Sequence, residues 1–342
     1  MKKLISLILC TALVLTLLAA CGSTPAETLP STQPTTEASE PTEEVVQERL
    51  PNVMVMSGPT GVGAAKLISD WEAGSATVAS ATVVADNEEV KNALINGDAD
   101  IAAVATNVAS ALYNKTEGAI QVLAINTLGV LYILEKGESV QTMADLAGKT
   151  LYATGQGANP EYILNFLLEK SGVNPGDVDI QWLTAQEIIA KMTTEEAGIC
   201  MLPVPAATTV MMKDPTIRQA ISLTDVWSDT DESMLAQGCI VARTDYIREN
   251  PKAVEAFLTA YEQSLTYMMA EENREAAAAL VAQYGITANA QIAARAIPTC
   301  NLTFITGTQM KTVLEGFYNV MFQANPASIG GGLPGDDFYY GS

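Results

Sequence analysis

The chain has 342 residues, 48% of them apolar, with 39 acidic against 18 basic side chains and a formal net charge of −21. Nucleic acid and anionic lipid surfaces repel so acidic a protein, which excludes both as partners and leaves solubility as the simplest role of the charge. Histidine is absent altogether, which removes the commonest general base and the commonest transition-metal ligand.

The chain opens with Lys2-Lys3, an apolar run from Leu4 to Leu18, and then Ala19-Ala20-Cys21. A basic start, a short apolar core and small residues before a cut site describe a secretory signal peptide over residues 1–20. The run falls short of the ~20 apolar residues that a membrane-spanning helix needs. Leu18-Ala19-Ala20-Cys21 resembles the bacterial lipobox, which implies diacylglyceryl transfer to Cys21 and cleavage just before it. From Gly22 to Arg49 the composition turns to Ser, Thr, Pro and Glu with almost nothing apolar. Such a stretch cannot bury enough surface to offset its ordering entropy, so residues 21–49 are expected to form a disordered tether reaching roughly 30 Å. Two or more acyl chains make such an anchor stable where one is marginal. Membrane contact is therefore expected through the lipid alone.

The remaining ~290 residues suffice for two domains with substantial cores. Val53 to Met56 reads as a strand, Val62 to Trp71 as a helix, Val78 to Ala85 as a strand and Glu88 to Asn96 as a helix. Ile101 to Val104 reads as a strand, Thr106-Asn107 opens a short helix to Tyr113, and Gln121 to Asn126 is another strand. Alternation of this kind predicts a parallel, doubly wound sheet. A second series follows "DLAGKT": a strand at Leu151 to Thr154, a "GQGANP" turn, and a helix from Glu161 to Lys170. It continues with a strand at Asp179 to Leu183, a helix at Ala185 to Met192, a strand at Gly198 to Leu202, and "PVPAATTVM" turning into another helix. The C-terminal third is a strand at Cys239 to Ala242 and helices at Pro251 to Ala270, Arg274 to Tyr284, Ala290 to Ala296 and Gln309 to Val320. The glycine-rich end from Gly330 reads as loose. The apolar runs "LGVLYILEKGES" and "AQGCIVARTD" flank the second series. They predict two α/β lobes joined by two chain crossings, with 50–134 plus 238–342 in lobe one and 135–237 in lobe two.

"MVMSGPTGVGAAKLI", Met54 to Ile68, crowds three glycines between a strand and a helix. It fails GxxxxGK[ST], because Ala64-Ala65 follow Gly63, and it fails GxGxxG, because Gly61-Val62-Gly63 is followed by Ala64-Ala65-Lys66 with no third glycine. What survives is a turn with Ser57, Thr60, Gly61 and Val62 that opens a helix at once. Unpaired N–H groups and the helix dipole favour an oxyanion there, although a tight turn needs glycines for geometry alone. Similar turns recur at Thr106-Asn107, at Asn126-Thr127, and at Gln156-Gly157-Ala158-Asn159, with Val204-Pro205 placed to close one wall. Open α/β sheets bind ligands beyond the carboxyl ends of their strands, so two facing lobes would aim several helix N-termini into one cleft. Backbone N–H groups of Gly61 and Val62, helped by the Thr60 hydroxyl, are expected to face the ligand's polar head. Asn107 and Asn159 offer both donor and acceptor. No lysine or arginine sits in these turns. That favours one delocalised negative charge, or a neutral polar ligand, over a phosphate ester.

The lipobox, the tether, "GPTGVGAAKL", "NGDADIAAVATN" and "DLAGKTLYATGQGANPEYIL" together resemble the type II solute-binding lipoproteins of ABC importers. The group that binds nitrate, sulfonates, taurine and thiamine-pyrimidine precursors is the nearest, and "ENPKAVEAFLTAYEQSL" resembles its C-terminal helix. The resemblance implies a two-lobed type II periplasmic binding protein fold and a monomer. It also implies capture of a sulfonate, carboxylate or similar oxyanion, and delivery to permease subunits served by a cytoplasmic ATPase. It departs from the pattern at Leu202-Pro203-Val204-Pro205-Ala206, where many relatives carry an acidic or aromatic residue, so ligand identity is not borrowed from any one of them. A heterocyclic vitamin precursor stays open, because Trp71, Trp182 and Trp227 can stack a ring as well as fill a core. A sensor without transport uses the same pocket. Enzymes resembling this group, the pyrimidine-precursor synthases, consume an active-site histidine that this chain lacks. Asp98, Asp100 and Glu187 read as cap and surface residues. No cofactor or metal is expected: Cys200, Cys239 and Cys300 are far apart and read as buried, with a Cys200–Cys239 disulfide left open.

Overall fold

Residues 48–230 and 233–342 are described by the computed structural model of the chain. The signal peptide, Cys21 and all but the end of the tether lie outside them. In chain order the first series is β1 (Asn52–Met56), α1 (Pro59–Glu72), β2 (Ser80–Val84), α2 (Asn87–Asn96), β3 (Ile101–Ala105), α3 (Thr106–Lys115) and β4 (Ile120–Thr127). The second is β5 (Leu131–Lys136), β6 (Thr150–Ala153), α4 (Asn159–Lys170), β7 (Asp179–Trp182), α5 (Ala185–Thr194), β8 (Gly198–Pro203), α6 (Ala206–Lys213), β9 (Ile217–Ser222) and α7 (Leu223–Ser228). The rest is β10 (Gly238–Arg243), α8 (Thr244–Glu249), α9 (Pro251–Met269), α10 (Arg274–Gln283), α11 (Ala290–Ala296), β11 (Leu302–Ile305) and α12 (Gly307–Ala324).

Local chemistry sets these boundaries. Asp86 accepts from the Glu88 N–H at 2.9 Å and starts α2, and Gly97, in the left-handed region, ends it. Thr184 and Glu187 form a reciprocal capping box on α5, so Glu187 is the cap its spacing suggests. Prolines open α1 and α9, where a missing N–H costs nothing. β3 and β10 are almost continuously buried, as strands covered on both faces must be.

The strands form two sheets, ordered β11-β4-β10-β3-β1-β2 and β7-β6-β8-β5-β9. The expected parallel pattern holds inside the βαβ units, where β1 pairs with β2 and β3, and β6 with β7 and β8. It fails where the chain changes sheet. β10 returns from the second sheet and runs antiparallel to both β3 and β4, and β5 runs antiparallel to β8 and β9. Both sheets are therefore mixed. Residues 131–134, assigned from sequence to the first lobe, begin β5 and pair in the second sheet. The chain leaves the first sheet at Leu128–Val130 and re-enters it after Ser233–Gln237. β9, α7, α8 and β11 have no counterpart in the sequence reading, because "IRQAIS" and "LTFI" are short and α7 and α8 span only six residues each.

Three further expectations change. The end of the chain is packed, not loose: Phe338 and Tyr339 are buried, and the Tyr340 N–H donates to the Val122 carbonyl at 3.0 Å. Aromatic burial outweighs the freedom of the glycines before it. Residues 48 and 49, assigned from sequence to the tether, belong to the folded body: the Arg49 guanidinium grips Asp100 at 2.7 and 2.6 Å and Glu48 accepts from the Ala253 N–H at the start of α9. Asp100 is accordingly fully buried rather than a surface residue, while Asp98 is exposed. Cys200 in β8, Cys239 in β10 and Cys300 are free and buried, so no Cys200–Cys239 disulfide forms. Burial pushes the Cys200 and Cys300 thiols up to about 12, which leaves them inert. Trp227 is a core residue, between Phe166 and Phe317, whereas Trp71 and Trp182 are part-buried. Among the described residues no helix is long and apolar enough to cross a membrane.

Candidate functional site

The carboxyl ends of β1, β3, β4 and β8 meet the start of α4 and the return crossing around a cavity of about 210 Å³. From the first series come Met56, Ser57, Pro59, Thr60, Asn87, Ala105 and Thr127. Val130 comes from the outgoing crossing, Leu131, Asn159, Pro160 and Pro203 from the second series, and Gln237-Gly238 from the return and the start of β10. No lining residue is charged. A larger groove of about 720 Å³ lies between α4 and α12, lined by helix flanks such as Asn165, Lys170 and Gln323 rather than by strand ends.

The β1–α1 turn is built as its sequence suggests. Gly58 has φ 108°, which only glycine adopts without strain, and a Cβ on Gly61 would sit 2.7 Å from the Met56 carbonyl oxygen. Ser57 and Thr60 line the cavity. Two details of the expected anion cradle differ. The Val62 N–H donates to the Gly58 carbonyl at 3.0 Å, and the Thr60 hydroxyl donates to the Met56 carbonyl at 3.0 Å. Because the helix starts at Pro59, three residues before Val62, its first intrahelical bond uses that N–H. Gly61 and Val62 are both buried, and neither lines the cavity.

Thr127 lines the floor, and its hydroxyl donates to Asn126 Oδ1 at 3.2 Å. Asn126 Nδ2 donates to the Tyr261 hydroxyl at 2.8 Å, which in turn donates to the Thr60 carbonyl at 3.2 Å. Burial pushes the Tyr261 phenol well up from its ordinary range, so it stays a neutral hydroxyl. Gly238 packs onto the same floor, where a Cβ would lie 2.7 Å from Thr60 Cγ2 and 2.8 Å from Asn126 Oδ1.

The α4 turn is used differently from expectation. Gln156 and Gly157 are exposed, Ala158 is part-buried, and none of the three lines the cavity. The Gly157 N–H is already taken by the Glu161 carboxylate at 2.5 Å, because an acidic side chain in the first turn satisfies its own helix start. Asn159 does line the cavity, and it is 4% exposed. Thr106 is buried behind it and Asn107 is part-buried; neither lines the cavity. Pro203 supplies the wall assigned to Val204-Pro205: Val204 points into the core, and its peptide bond to Pro205 is cis.

Sequence reasoning missed Gln237, Gly238 and Asn87. The "AQG" before β10 carried the signal for the first two, a glycine at the mouth of a buried strand. Gln237 Oε1 accepts from the Val130 N–H at 2.6 Å, tying the two crossings together and turning its Nε2 away from that bond.

A binding protein of Brucella abortus is 22% identical over 154 residues, which are 45% of this chain and 47% of that protein; the chain thus spans about half the length of the curated relatives it matches. An ABC transporter structure from Parabacteroides distasonis superposes with a TM-score of 0.71 at 22% identity, over 85% of this chain and 99% of that one. The periplasmic aliphatic sulphonate binding protein SsuA of Escherichia coli gives 0.67 at 16% identity, over 82% and 88%. At such identities the likeness establishes the fold: two mixed sheets with flanking helices, as in type II periplasmic binding proteins. The sequence profile described as NMT1/THI5 like matches residues 79–275, more than half of the chain, and the chain belongs to that family.

Proposed function

We propose that the protein is the extracytoplasmic solute-binding component of an ABC importer, capturing a small polar solute between its two sheets and delivering it to permease subunits driven by a cytoplasmic ATPase. The observation that carries this reading is an uncharged cavity at the strand carboxyl ends, with mainly apolar walls carrying a few polar side chains and bounded by both chain crossings. Leu128–Val130 and Ser233–Gln237 would act as the hinge, and solute contacts to both sides would favour a closed form. The family and the fold support capture rather than turnover, and no carboxylate pair or histidine lines the cavity to supply a catalytic acid or base.

The oxyanion reading draws on Ser57 and the N-terminus of α1. Its main rival, a neutral heterocycle, is favoured by the apolar walls of Met56, Val130, Leu131, Pro160 and Pro203. A thermal-shift screen of sulfonates, carboxylates and heterocycles tests the capture reading, because a ligand that binds only the folded state raises its melting temperature. With the best binder in hand, Asn159→Ala should weaken affinity roughly ten- to hundredfold without lowering the melting temperature of the free protein. Unchanged affinity by calorimetry would move the site elsewhere. Uptake lost on deleting the protein, and restored by the wild type alone, separates transport from sensing.

Anchoring belongs to the same proposal. Cleavage before Cys21 and its diacylation would place the body on the outer face of the cytoplasmic membrane. Cys21→Ala should leave the precursor uncleaved or release the protein into the medium. Mass spectrometry of the wild type finding an unmodified Cys21 would refute the anchor.

A further inference from the structure

We infer that the solute presents N–H or O–H donors to this cavity and carries no net negative charge. The inference rests on solute capture at the site, and it follows from where the hydrogens of the lining groups point.

Asn159 decides the first part. Its Nδ2 lies 3.4 Å from Thr106 Oγ1. The single hydroxyl hydrogen of Thr106 is already committed to the Ala236 carbonyl at 2.8 Å. Thr106 therefore offers Asn159 a lone pair, which orients the amide with its nitrogen toward Thr106. That leaves Asn159 Oδ1 as an acceptor buried without a partner, on a residue that lines the cavity. A buried acceptor left unmade is costly, and a donor on the solute is the group that satisfies it.

Two other lining oxygens are polarised the same way. Thr60 gives its hydrogen to the Met56 carbonyl. Thr127 gives its hydrogen to Asn126 Oδ1, and this direction is fixed by the end of the relay. The Thr60 carbonyl can only accept, so Tyr261 donates to it and receives from Asn126 Nδ2, which turns Asn126 Oδ1 toward Thr127. Around the cavity, Asn159, Thr60 and Thr127 thus present lone pairs. Nitrate and sulfonate groups are acceptors only, and they would meet these lone pairs with no cationic side chain in the lining to compensate. At the α4 end the Glu161 carboxylate holds the turn N–H that an anion would need. Ser57, Gln237 Nε2 and the start of α1 remain as donors, so a suitable head carries an acceptor beside its donors. Amides, lactams and polyols have this character.

The test uses fragment-sized lactams, amides, amines and polyols, each paired with its N- or O-methylated counterpart, alongside nitrate, methanesulfonate and acetate. Binding to the wild-type protein is read by thermal shift and calorimetry. For 2-pyrrolidone the expected result is affinity roughly tenfold above N-methyl-2-pyrrolidone and above each anion. Asn159→Ala should bring that ratio to within about twofold. Thr106→Val, which frees the amide to turn its Nδ2 inward, should shift preference toward the anions, and Thr106→Ser should restore the wild-type order. Anions or methylated members binding as tightly as the donor-bearing members would overturn the inference and leave solute capture standing. Absence of binding by any member of the panel would overturn both.

Discussion

Replacing Trp227 with alanine is expected to destabilise the protein by about 3–5 kcal/mol, the range for emptying a buried aromatic site. The indole is 1% exposed and lies on α7, beneath the second sheet. It sits 5.0 Å, centroid to centroid, from Phe166 on α4 and 5.9 Å from Phe317 on α12. Since α12 follows β11 of the first sheet, this one side chain fills the seam between the elements of both sheets. Its Nε1–H also donates to the Ser233 carbonyl, and the Ser233 hydroxyl donates to the Val313 carbonyl of α12 at 3.0 Å. The return crossing is thus clamped from both sides. Trp227→Phe keeps most of the packing but orphans the Ser233 carbonyl, so a smaller loss of about 1–3 kcal/mol is expected. Urea unfolding of the two variants checks this. A loss below about 1 kcal/mol for the alanine variant would mean that the seam closes around the vacated space.

The sequence carried the βαβ units and the β1–α1 turn, because each depends on contacts within one local stretch. Gly58 and Gly61 are legible as a tight turn from spacing alone. Strand direction at β10 was not legible, since it depends on the chain having visited the second sheet first. The hydrogen-bond polarity of the site was hidden for a similar reason. Thr106 is fixed by Ala236, and Thr60 and Asn126 both meet Tyr261, partners far along the chain. A threonine in a turn reads as a donor until its actual acceptor is known. The turn at Gln156 to Asn159 shows the same limit at short range. Glu161 lies two residues beyond it, and its carboxylate competes for the helix N–H groups. Gln237 and Gly238 belong to the site only because β10 runs up the middle of the first sheet.

The other large effect is expected at the base of the first sheet, where Arg49 meets Asp100. Arg49→Ala should cost about 3 kcal/mol, at the low end for stranding a buried charge. Two magnitudes compete here. Arg49 is 54% exposed, and a surface ion pair is worth about 0–1 kcal/mol. Asp100, however, is 0% exposed, and once Arg49 is gone its carboxylate keeps only the Asn52 N–H at 2.9 Å and Arg243 at 3.9 Å. Burial of the acid decides the outcome, because the stranded charge sets the cost. Arg49→Lys should recover only part of the loss, since one ammonium cannot reproduce the two parallel bonds of the guanidinium. The decisive variant is Asp100→Asn, which removes the charge that would be stranded. In that background Arg49→Ala should cost under about 1 kcal/mol, a coupling of about 2 kcal/mol in the double-mutant cycle. Limited proteolysis gives a second readout. With the pair intact, trimming of the N-terminal segment should stop before Glu48, which is itself bound to the start of α9; in Arg49→Ala it should proceed to the edge of β1. A cycle with no coupling, and the same trimming point in both proteins, would show that the grip on Asp100 is incidental to the fold.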